Sequence, residues 1–326
     1  MERAVRELDP AFQAFFQRQA ATVRPAPGSL PLSAVRAGYR AQRQGLNANP
    51  PAGISVRDLV ISRDAGQLVV RLYDPGVRVL SGLLVYFHGG GFVIGDLESH
   101  DAHCRRLASA AGCKVLAVDY RLAPEHPFPA AHDDAVWATR WAFDHAAELE
   151  IDPGRIAVGG DSAGGNLAAS VAVGLIGDPS RRLAFQLLLY PGLWPEEETT
   201  SRRELDGPVL TRAGLAWFDQ CLKAQGHPQV HRLNLERADV IGAPPGLIVT
   251  AGFDPLKDEG RDYAVRLREA GVAVQHIEYQ SLPHDFFVMA DISPAVFSAV
   301  AEIAGILESA LADGACRRFN DATVEK

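Results

Sequence analysis

The chain has 326 residues, 47% of them hydrophobic, with 32 Lys and Arg against 40 Asp and Glu and a formal net charge of -8. This balance argues against nucleic acid or an anionic membrane as the main partner, because both select basic surfaces, and it suits a neutral small-molecule substrate. The four cysteines form no C-x-x-C pair, which argues against a disulfide framework or a zinc site. No signal peptide and no apolar run of about 18 residues is present, so we expect a cytoplasmic protein with no membrane span.

Residues 1–50 predict two helices that precede the first strand. Asp9 is expected to cap the first helix, with Pro10 at its first position. The aromatic side chains of this helix fall on one stripe, namely Phe12, Phe15 and Phe16. Ser33 is expected to cap the second helix. The two helices are predicted to be an appendage on the main domain.

Residues 51–312 predict a single α/β domain. Two apolar strands flank the hairpin turn Asp64-Ala65-Gly66, and short apolar strands then alternate with helices. This alternation is typical of a mostly parallel sheet flanked by helices on both faces, here with eight strands. Residues 191–235 interrupt the alternation and are expected to lie above the carboxyl ends of the strands, where such folds bind ligands. Residues 313–326 are predicted to be a polar tail.

A candidate nucleophile lies in Gly160-Asp161-Ser162-Ala163-Gly164, which matches G-x-S-x-G. The motif follows a predicted strand at 155–159 and precedes a predicted helix, the context in which it forms a nucleophile elbow. The flanking glycines remove side chains that would clash with the strained backbone of the serine. The N-terminus of the helix favours negative charge beside Ser162. A plain tight turn is the alternative interpretation.

A glycine-rich segment, His88-Gly89-Gly90-Gly91, directly follows the predicted strand at 83–87. Glycines let the backbone approach a substrate closely and aim amide N–H groups at one point. We expect the amides of Gly89, Gly90 and Ala163 to form an oxyanion hole for a tetrahedral intermediate. A flexible loop or a phosphate cradle is the alternative, but neither G-K-[ST] nor the G-x-G-x-x-G spacing occurs here.

The partners of the serine are expected downstream, with the acid before the base. Asp254 follows a predicted strand at 247–251 and is placed on a loop at the carboxyl edge of the sheet. His284 is the only histidine beyond the final predicted strand, and an imidazole is needed to take the serine proton. Asp285 is the rival acid, although a neighbour in sequence cannot easily reach the far side of the same ring. Asp258 and Glu259 are expected to cap the following helix.

The remaining histidines favour structural roles. His88 is expected to hold the glycine-rich segment in place, and His276 to be a surface or packing residue. His100 and His103 lie three positions apart and could share a helix face, but no third ligand and no H-E-x-x-H motif accompany them. The sequence therefore predicts no metal and no cofactor.

In this order, the motifs resemble those of the hormone-sensitive-lipase-like branch of the α/β hydrolases, which includes many bacterial esterases. The resemblance covers residues 54–312, and it also rests on DYRLAPEHPFPA at 119–130 and on Asp254-Pro255-Leu256. It implies the α/β-hydrolase fold, with the helices of residues 1–50 forming part of a cap over the site, and residues 191–235 are expected to contribute to this cap. It further implies substrates with short acyl chains and pairing into homodimers, as relatives often do. One departure is Asp285, because many relatives have glycine after the histidine.

The sequence therefore predicts a serine carboxylesterase that hydrolyses short-chain carboxylic esters through an acyl-enzyme. The candidates to bind substrate are aromatic, namely Phe12, Phe16, Trp194 and Trp217, with Phe15 and Phe218 beside them. Ordinary packing is an equal alternative for each. An amidase or carbamate hydrolase could use the same triad. A non-catalytic small-molecule receptor on this fold would be expected to lack the histidine, and a true lipase would need an amphipathic lid helix.

Overall fold

The computed structural model describes residues 7–20, 26–63, 66–76, 81–193, 198–312 and 323–326, and these contain one nine-stranded sheet. The strands are β1 (Ser55–Arg63), β2 (Gly66–Asp74), β3 (Ser81–Phe87), β4 (Lys114–Val118), β5 (Ile151–Asp161), β6 (Phe185–Leu189), β7 (Gly246–Phe253), β8 (Val274–Pro283) and β9 (Thr323–Glu325). Their order is β1-β2-β4-β3-β5-β6-β7-β8-β9. Strand β2 pairs antiparallel with β1 and β4, and all other neighbours are parallel.

Helices cover both faces of the sheet. They are α1 (Pro10–Ala20), α2 (Leu32–Gly45), α3 (Asp101–Ala111), α4 (Ala130–Asp144), α5 (Ala163–Gly174), α6 (Thr200–Glu204), α7 (Arg212–Leu222), α8 (Lys257–Glu269) and α9 (Pro294–Ala310). One hydrophobic core contains side chains of α4, α5 and α8, and the other contains side chains of α3 and α9. Every residue of β3, β4 and β6 is consequently buried, which explains their unbroken apolar sequences. Among the helices described, none combines the length and apolar composition needed to cross a bilayer.

The strand pattern of the sequence agrees with this sheet. The eight predicted strands correspond to β1–β8, and the turn residues 64–65 lie outside the described residues. Strand β9 is an addition from the polar tail, for which the sequence pattern predicts no element. It extends the sheet beyond β8, pairing in parallel from His276 with Thr323 to Glu278 with Glu325.

The two N-terminal helices begin in different ways. Asp9 caps α1 as predicted, because its Oδ1 accepts the N–H groups of Ala11 at 2.9 Å and Phe12 at 3.2 Å. The prediction for Ser33 is wrong. Helix α2 already begins at Leu32, where the carbonyl of Pro31 accepts the N–H of Val35 at 3.1 Å, so Ser33 lies inside the first turn, and no side chain of the described residues caps the helix.

Helix α2 is fastened to the sheet domain by three arginines spaced about one turn apart, which we call the arginine row: Arg36, Arg40 and Arg43. Arg36 donates to the carbonyls of Val93 at 2.8 Å and Ala123 at 3.0 Å and pairs with Glu125 at 2.7 Å. Arg40 pairs with Asp96 at 2.6 Å, and Arg43 pairs with Asp285. The row therefore joins one helix to three separate loops of the domain.

The segment 198–235 is fastened by the two carboxylates that were expected to cap α8. The main-chain N–H of Ser201 donates to Asp258 at 2.8 Å. Glu259 is fully buried, pairs with Arg202 and accepts the N–H of Leu193 at 2.7 Å. The expectation of helix caps is thus wrong, since the two residues lie within the first turn of α8 and face the inserted segment.

Candidate active site

Ser162 occupies a sharp turn between β5, which ends at Asp161, and α5, which begins at Ala163. Its backbone has φ 54° and ψ -116°, a conformation that costs free energy for any residue with a side chain. The turn is close enough that a Cβ at Gly164 would overlap the carbonyl oxygen of Phe87, so only glycine fits there. This is the elbow geometry that the motif predicts.

Asp254 and His284 reach Ser162 from the carboxyl ends of β7 and β8. The Nε2 atom of His284 lies 2.9 Å from the Oγ of Ser162, and its Nδ1 lies 2.7 Å from Oδ2 of Asp254. Asp254 is fully buried, and its Oδ1 accepts the N–H of Leu256 at 2.8 Å. The structure thus brings together the three residues that the sequence singles out, in a continuous line from carboxylate to hydroxyl.

The environment of His284 favours its charged form. Burial alone would lower the pKa of His284, but the charge and hydrogen bond of Asp254, with the charge of Asp285, raise this pKa above its ordinary value. An imidazole that has just accepted a proton from a serine is positively charged. The same contacts therefore stabilise the state that such a transfer would produce.

Asp285 is not placed to be the acid. Asp254 already occupies the Nδ1 side of the His284 ring, and the carboxylate of Asp285 pairs instead with Arg43 of α2. Asp285 has φ 67°, in the left-handed region that favours glycine, so the glycine expected from the family pattern would suit this backbone. The aspartate therefore accepts an unfavourable conformation and gains a buried ion pair.

The glycine-rich segment has two amides without an acceptor among the described residues. They belong to Gly90 and Gly91, whereas the prediction was Gly89 and Gly90. The N–H of Gly89 donates to Oδ1 of Asp161 at 3.0 Å, so its assignment to the oxyanion hole is wrong. The N–H groups of Gly90 and Gly91 have no acceptor among the described residues, and both residues line the cavity above Ser162. The N–H of Ala163 likewise has no acceptor in the described part of the chain, because the first residue of a helix lacks an intrahelical acceptor.

Two cavities meet at Ser162. A large one of about 860 Å³ lies under α1 and α2 and is lined by Phe15, Phe16 and Tyr39 together with His284. A small one of about 60 Å³ lies on the other side and is lined mainly by leucines and by Phe92 and Ala163. The ring of Phe218 lines both. A bound ester could therefore extend in two directions from the serine.

The predicted substrate-binding aromatics separate into three groups. Phe16 lines the large cavity. Phe12 and Trp217 do not line either cavity: Phe12 is fully buried in the core, with its ring 5.9 Å from that of Phe16, and Trp217 packs on Phe218 at 5.1 Å. These two assignments are wrong. The first turn of α1 places Phe12 beneath the helix, and Trp217 packs behind the ring of Phe218, which lines both cavities. Trp194 lies outside the described residues.

Four charged residues that line the two cavities are absent from the sequence-based set, namely Arg18, Arg43, Arg202 and Asp219. Arg43 lines the large cavity and Arg202 lines the small one. The regular spacing of the arginine row is the only sequence signal for Arg43, and nothing in the pattern identifies Arg202.

The histidines outside the site have structural roles. His88 holds the glycine-rich segment, with its Nδ1 2.8 Å from the carbonyl of Gly89, and His276 is a buried packing residue bonded to Thr250 at 2.9 Å. No cluster of three metal-ligating side chains occurs in the described part of the chain.

The fold and the site are those of the α/β hydrolases that have a serine at the elbow. Comparison with known proteins leads to the same class. The family model described as alpha/beta hydrolase fold matches residues 84–288. Esterase LipI of Mycobacterium tuberculosis is 38% identical over 273 residues, which cover 80% of this chain and 85% of LipI. Carboxylesterase NlhH of the same species is 42% identical over 251 residues, covering 74% of this chain and 78% of NlhH.

A solved structure extends the comparison to the whole fold. The hyperthermophilic esterase from the archaeon Pyrobaculum calidifontis superposes with a TM-score of 0.88 at 38% identity. The superposition covers 94% of this chain and 100% of the archaeal esterase. The chain belongs to the α/β-hydrolase family, and within it to the hormone-sensitive-lipase-like esterases.

Proposed function

We propose that this protein is a serine carboxylesterase that hydrolyses short-chain carboxylic esters through an acyl-enzyme. The observation that carries the proposal is the line of hydrogen bonds from Asp254 through His284 to Ser162, at 2.7 and 2.9 Å. The relatives named above are esterases, which supports the same reaction here. No cofactor is needed.

The first half-reaction forms the acyl-enzyme. Ser162 Oγ attacks the ester carbonyl carbon while His284 Nε2 takes the hydroxyl proton, and the carbonyl oxygen becomes an oxyanion. Asp254 holds the ring and stabilises the resulting imidazolium. His284 then gives the proton to the departing alkoxide, which leaves as an alcohol. In the second half-reaction, water attacks the acyl carbon while His284 takes a proton from it; the bond to Ser162 Oγ then breaks, His284 returns the proton to Oγ, and the carboxylic acid is released.

We propose that the amides of Gly90, Gly91 and Ala163 bind the oxyanion. Their N–H groups have no acceptor among the described residues, and all three residues line the cavities that meet at Ser162. Removal of one such donor costs about 2.7–4 kcal/mol of transition-state stabilisation in a comparable hydrolase. Helix α5 adds a favourable field, because its N-terminus begins at Ala163.

The small cavity sets the proposed limit on acyl length. Its volume is about 60 Å³, and a water-sized atom needs about 10–15 Å³ on the same scale. Room for about five such atoms suits an acyl chain of two to about six carbons. The larger cavity beneath the proposed cap, residues 1–50 and 191–235, then receives the alcohol portion.

A chain-length series tests this function. We expect purified protein to hydrolyse nitrophenyl acetate to hexanoate well and esters beyond ten carbons poorly. Ser162→Ala should abolish turnover and labelling by a fluorophosphonate, and it is the matched control because it removes one atom. A matched ester and anilide pair separates esterase from amidase activity. A wild-type protein that neither reacts with the fluorophosphonate nor cleaves any ester would contradict the proposal and favour a receptor.

The cellular context is also a proposal. Cys104, Cys113 and Cys221 are free thiols, which suits a reducing compartment such as the cytoplasm, and fractionation of the source cells tests this.

We further propose a homodimer that pairs through the β8–β9 edge and α9, where the Phe297 side chain is exposed. Light scattering that shows a monomer at assay concentration would contradict it.

A further inference from the structure

The carboxylate of Asp161 is fully buried directly before the nucleophile, and the reaction described above gives it no role. Asp161 is the last residue of β5, so its backbone and that of Ser162 share one turn. A carboxylate in such a place is costly unless it is both paired and hydrogen-bonded. The partners of Asp161 therefore indicate what the residue does.

One oxygen of Asp161 holds the start of the glycine-rich segment. Its Oδ1 accepts the hydroxyl of Tyr86 at 2.6 Å and the N–H of Gly89 at 3.0 Å. A Cβ at Gly89 would overlap Oδ2, so the carboxylate and the segment fit together only with glycine there. On the other side, the Tyr120 hydroxyl donates to the carbonyl of His88 at 2.7 Å. The segment is thus fixed immediately before the two free amides.

The other oxygen of Asp161 faces a buried imidazole. His100 is 1% exposed, and its Nε2 lies 3.4 Å from Oδ2, close enough for an ion pair although not aligned as a hydrogen bond. Burial would raise the pKa of Asp161, but the nearby His100 and the hydrogen bond from Tyr86 lower this pKa below its usual range. The ionised form of Asp161 is therefore favoured.

The second nitrogen of His100 faces a hydroxyl group. Its Nδ1 lies 2.9 Å from the Oγ of Ser99. That oxygen accepts the N–H of Asp96 at 2.9 Å and also lies 2.9 Å from the carbonyl of Asp96, to which it can donate. Each nitrogen of the His100 ring thus faces an oxygen, and an imidazole donates from both nitrogens only in its protonated form.

We propose that Asp161, neutralised by a protonated His100, is the positioning residue of the oxyanion hole: by holding the amide of Gly89 it aims the amides of Gly90 and Gly91 at the substrate oxygen. Fixed donors act in catalysis only when they are already oriented. A buried carboxylate this close to Ser162 would by itself repel the developing oxyanion, and His100 cancels that charge. The inference rests on the proposed esterase function.

The test compares Asp161→Ala and Asp161→Asn with a matched control. The asparagine oxygen can still accept from Gly89, whereas alanine cannot. Asp134→Ala is the control, because Asp134 is 1% exposed and also accepts a main-chain N–H, from Arg121 at 3.0 Å, but lies in α4 away from the glycine-rich segment. For each variant we would measure kcat and KM for nitrophenyl butyrate, the melting temperature, and the affinity of a trifluoromethyl ketone, which forms a tetrahedral adduct with serine.

We expect Asp161→Ala to lose up to about 100-fold in kcat, with KM nearly unchanged and an equal fold-loss in affinity for the ketone. Asp161→Asn should lose less, and Asp134→Ala should lose stability but keep kcat and ketone affinity. If Asp161→Ala does not fold, Asp161→Asn and His100→Leu carry the test, since the latter leaves the charge of Asp161 uncompensated and should also weaken the ketone.

Three results would overturn the inference. One is a folded Asp161→Ala with wild-type kcat and ketone affinity. Another is a loss that appears only in melting temperature and KM, which a merely structural role would produce. The third is a nitrogen-15 spectrum at pH 7 in which the His100 ring is neutral. A wild-type protein with no ester hydrolysis would instead refute the proposed function, and the two failures are therefore distinguishable.

Discussion

Replacement of Asp285 by glycine tests whether the buried pair with Arg43 stabilises the fold. The side chains of Arg43 and Asp285 are 4% and 10% exposed. Removal of one partner from such a pair costs about 3–5 kcal/mol, because the other charge stays buried and uncompensated. Glycine gives back about 1 kcal/mol, since the φ of 67° at Asp285 is unfavourable for a residue with a side chain. We therefore expect Asp285→Gly to lower the free energy of unfolding by about 2–4 kcal/mol.

Denaturant unfolding measures this loss, and two further variants separate its causes. Asp285→Asn removes the charge but keeps a side-chain oxygen that can accept from Arg43, so the difference between the two variants reports that hydrogen bond together with the backbone. The double variant Arg43→Met/Asp285→Gly removes both charges and should be more stable than Asp285→Gly, as replaced buried pairs often are. If the double variant shows additive losses within about 0.5 kcal/mol, the pair is not coupled and the reasoning is refuted.

Three other predictions follow from the site. Leu222→Ala enlarges the small cavity that Leu222 lines, so the preferred acyl chain in the nitrophenyl series should lengthen by about two carbons; an unchanged optimum would show that the acyl group binds elsewhere. Asp285→Asn removes a charge that raises the pKa of His284, and because the base must be neutral, the acidic limb of kcat/KM against pH should move to lower pH; movement to higher pH would contradict this assignment. Phe16→Ala removes a wall of the large cavity and should raise KM for esters of bulky alcohols more than for methyl esters, which steady-state kinetics with one acyl group would detect.

The fold could be predicted because its signals are local. Strands buried on both faces have unbroken apolar sequences, and the helices between them separate the strands clearly. The three residues that line up at the candidate site could be placed for the same reason, since each one directly follows a parallel strand, and the ends of parallel strands share one edge. Ser162, Asp254 and His284 needed no knowledge of long-range packing to be chosen.

The errors concern the direction in which side chains and amides point. The sequence does not reveal that the side chain of Asp161 turns toward Gly89 and accepts its amide N–H, so the amides proposed as oxyanion donors lie one residue further along the segment. Phe12 and Phe16 lie on the same stripe of α1, but only the second reaches the cavity. Arg43 and Asp285 are 242 positions apart, and no local pattern links residues at that separation.

The ion pairs of the arginine row hold the two ends of α2 with unequal resistance to salt. Dissolved ions weaken charge pairs that water can reach and hardly affect those that it cannot. Arg36 and Arg40 are 26% and 49% exposed, whereas Arg43 is 4% exposed. Rising ionic strength should therefore free the beginning of the helix while its last turn stays attached beside His284. The helix would then pivot about its last turn, and the large cavity would widen at the other end of the helix without moving His284.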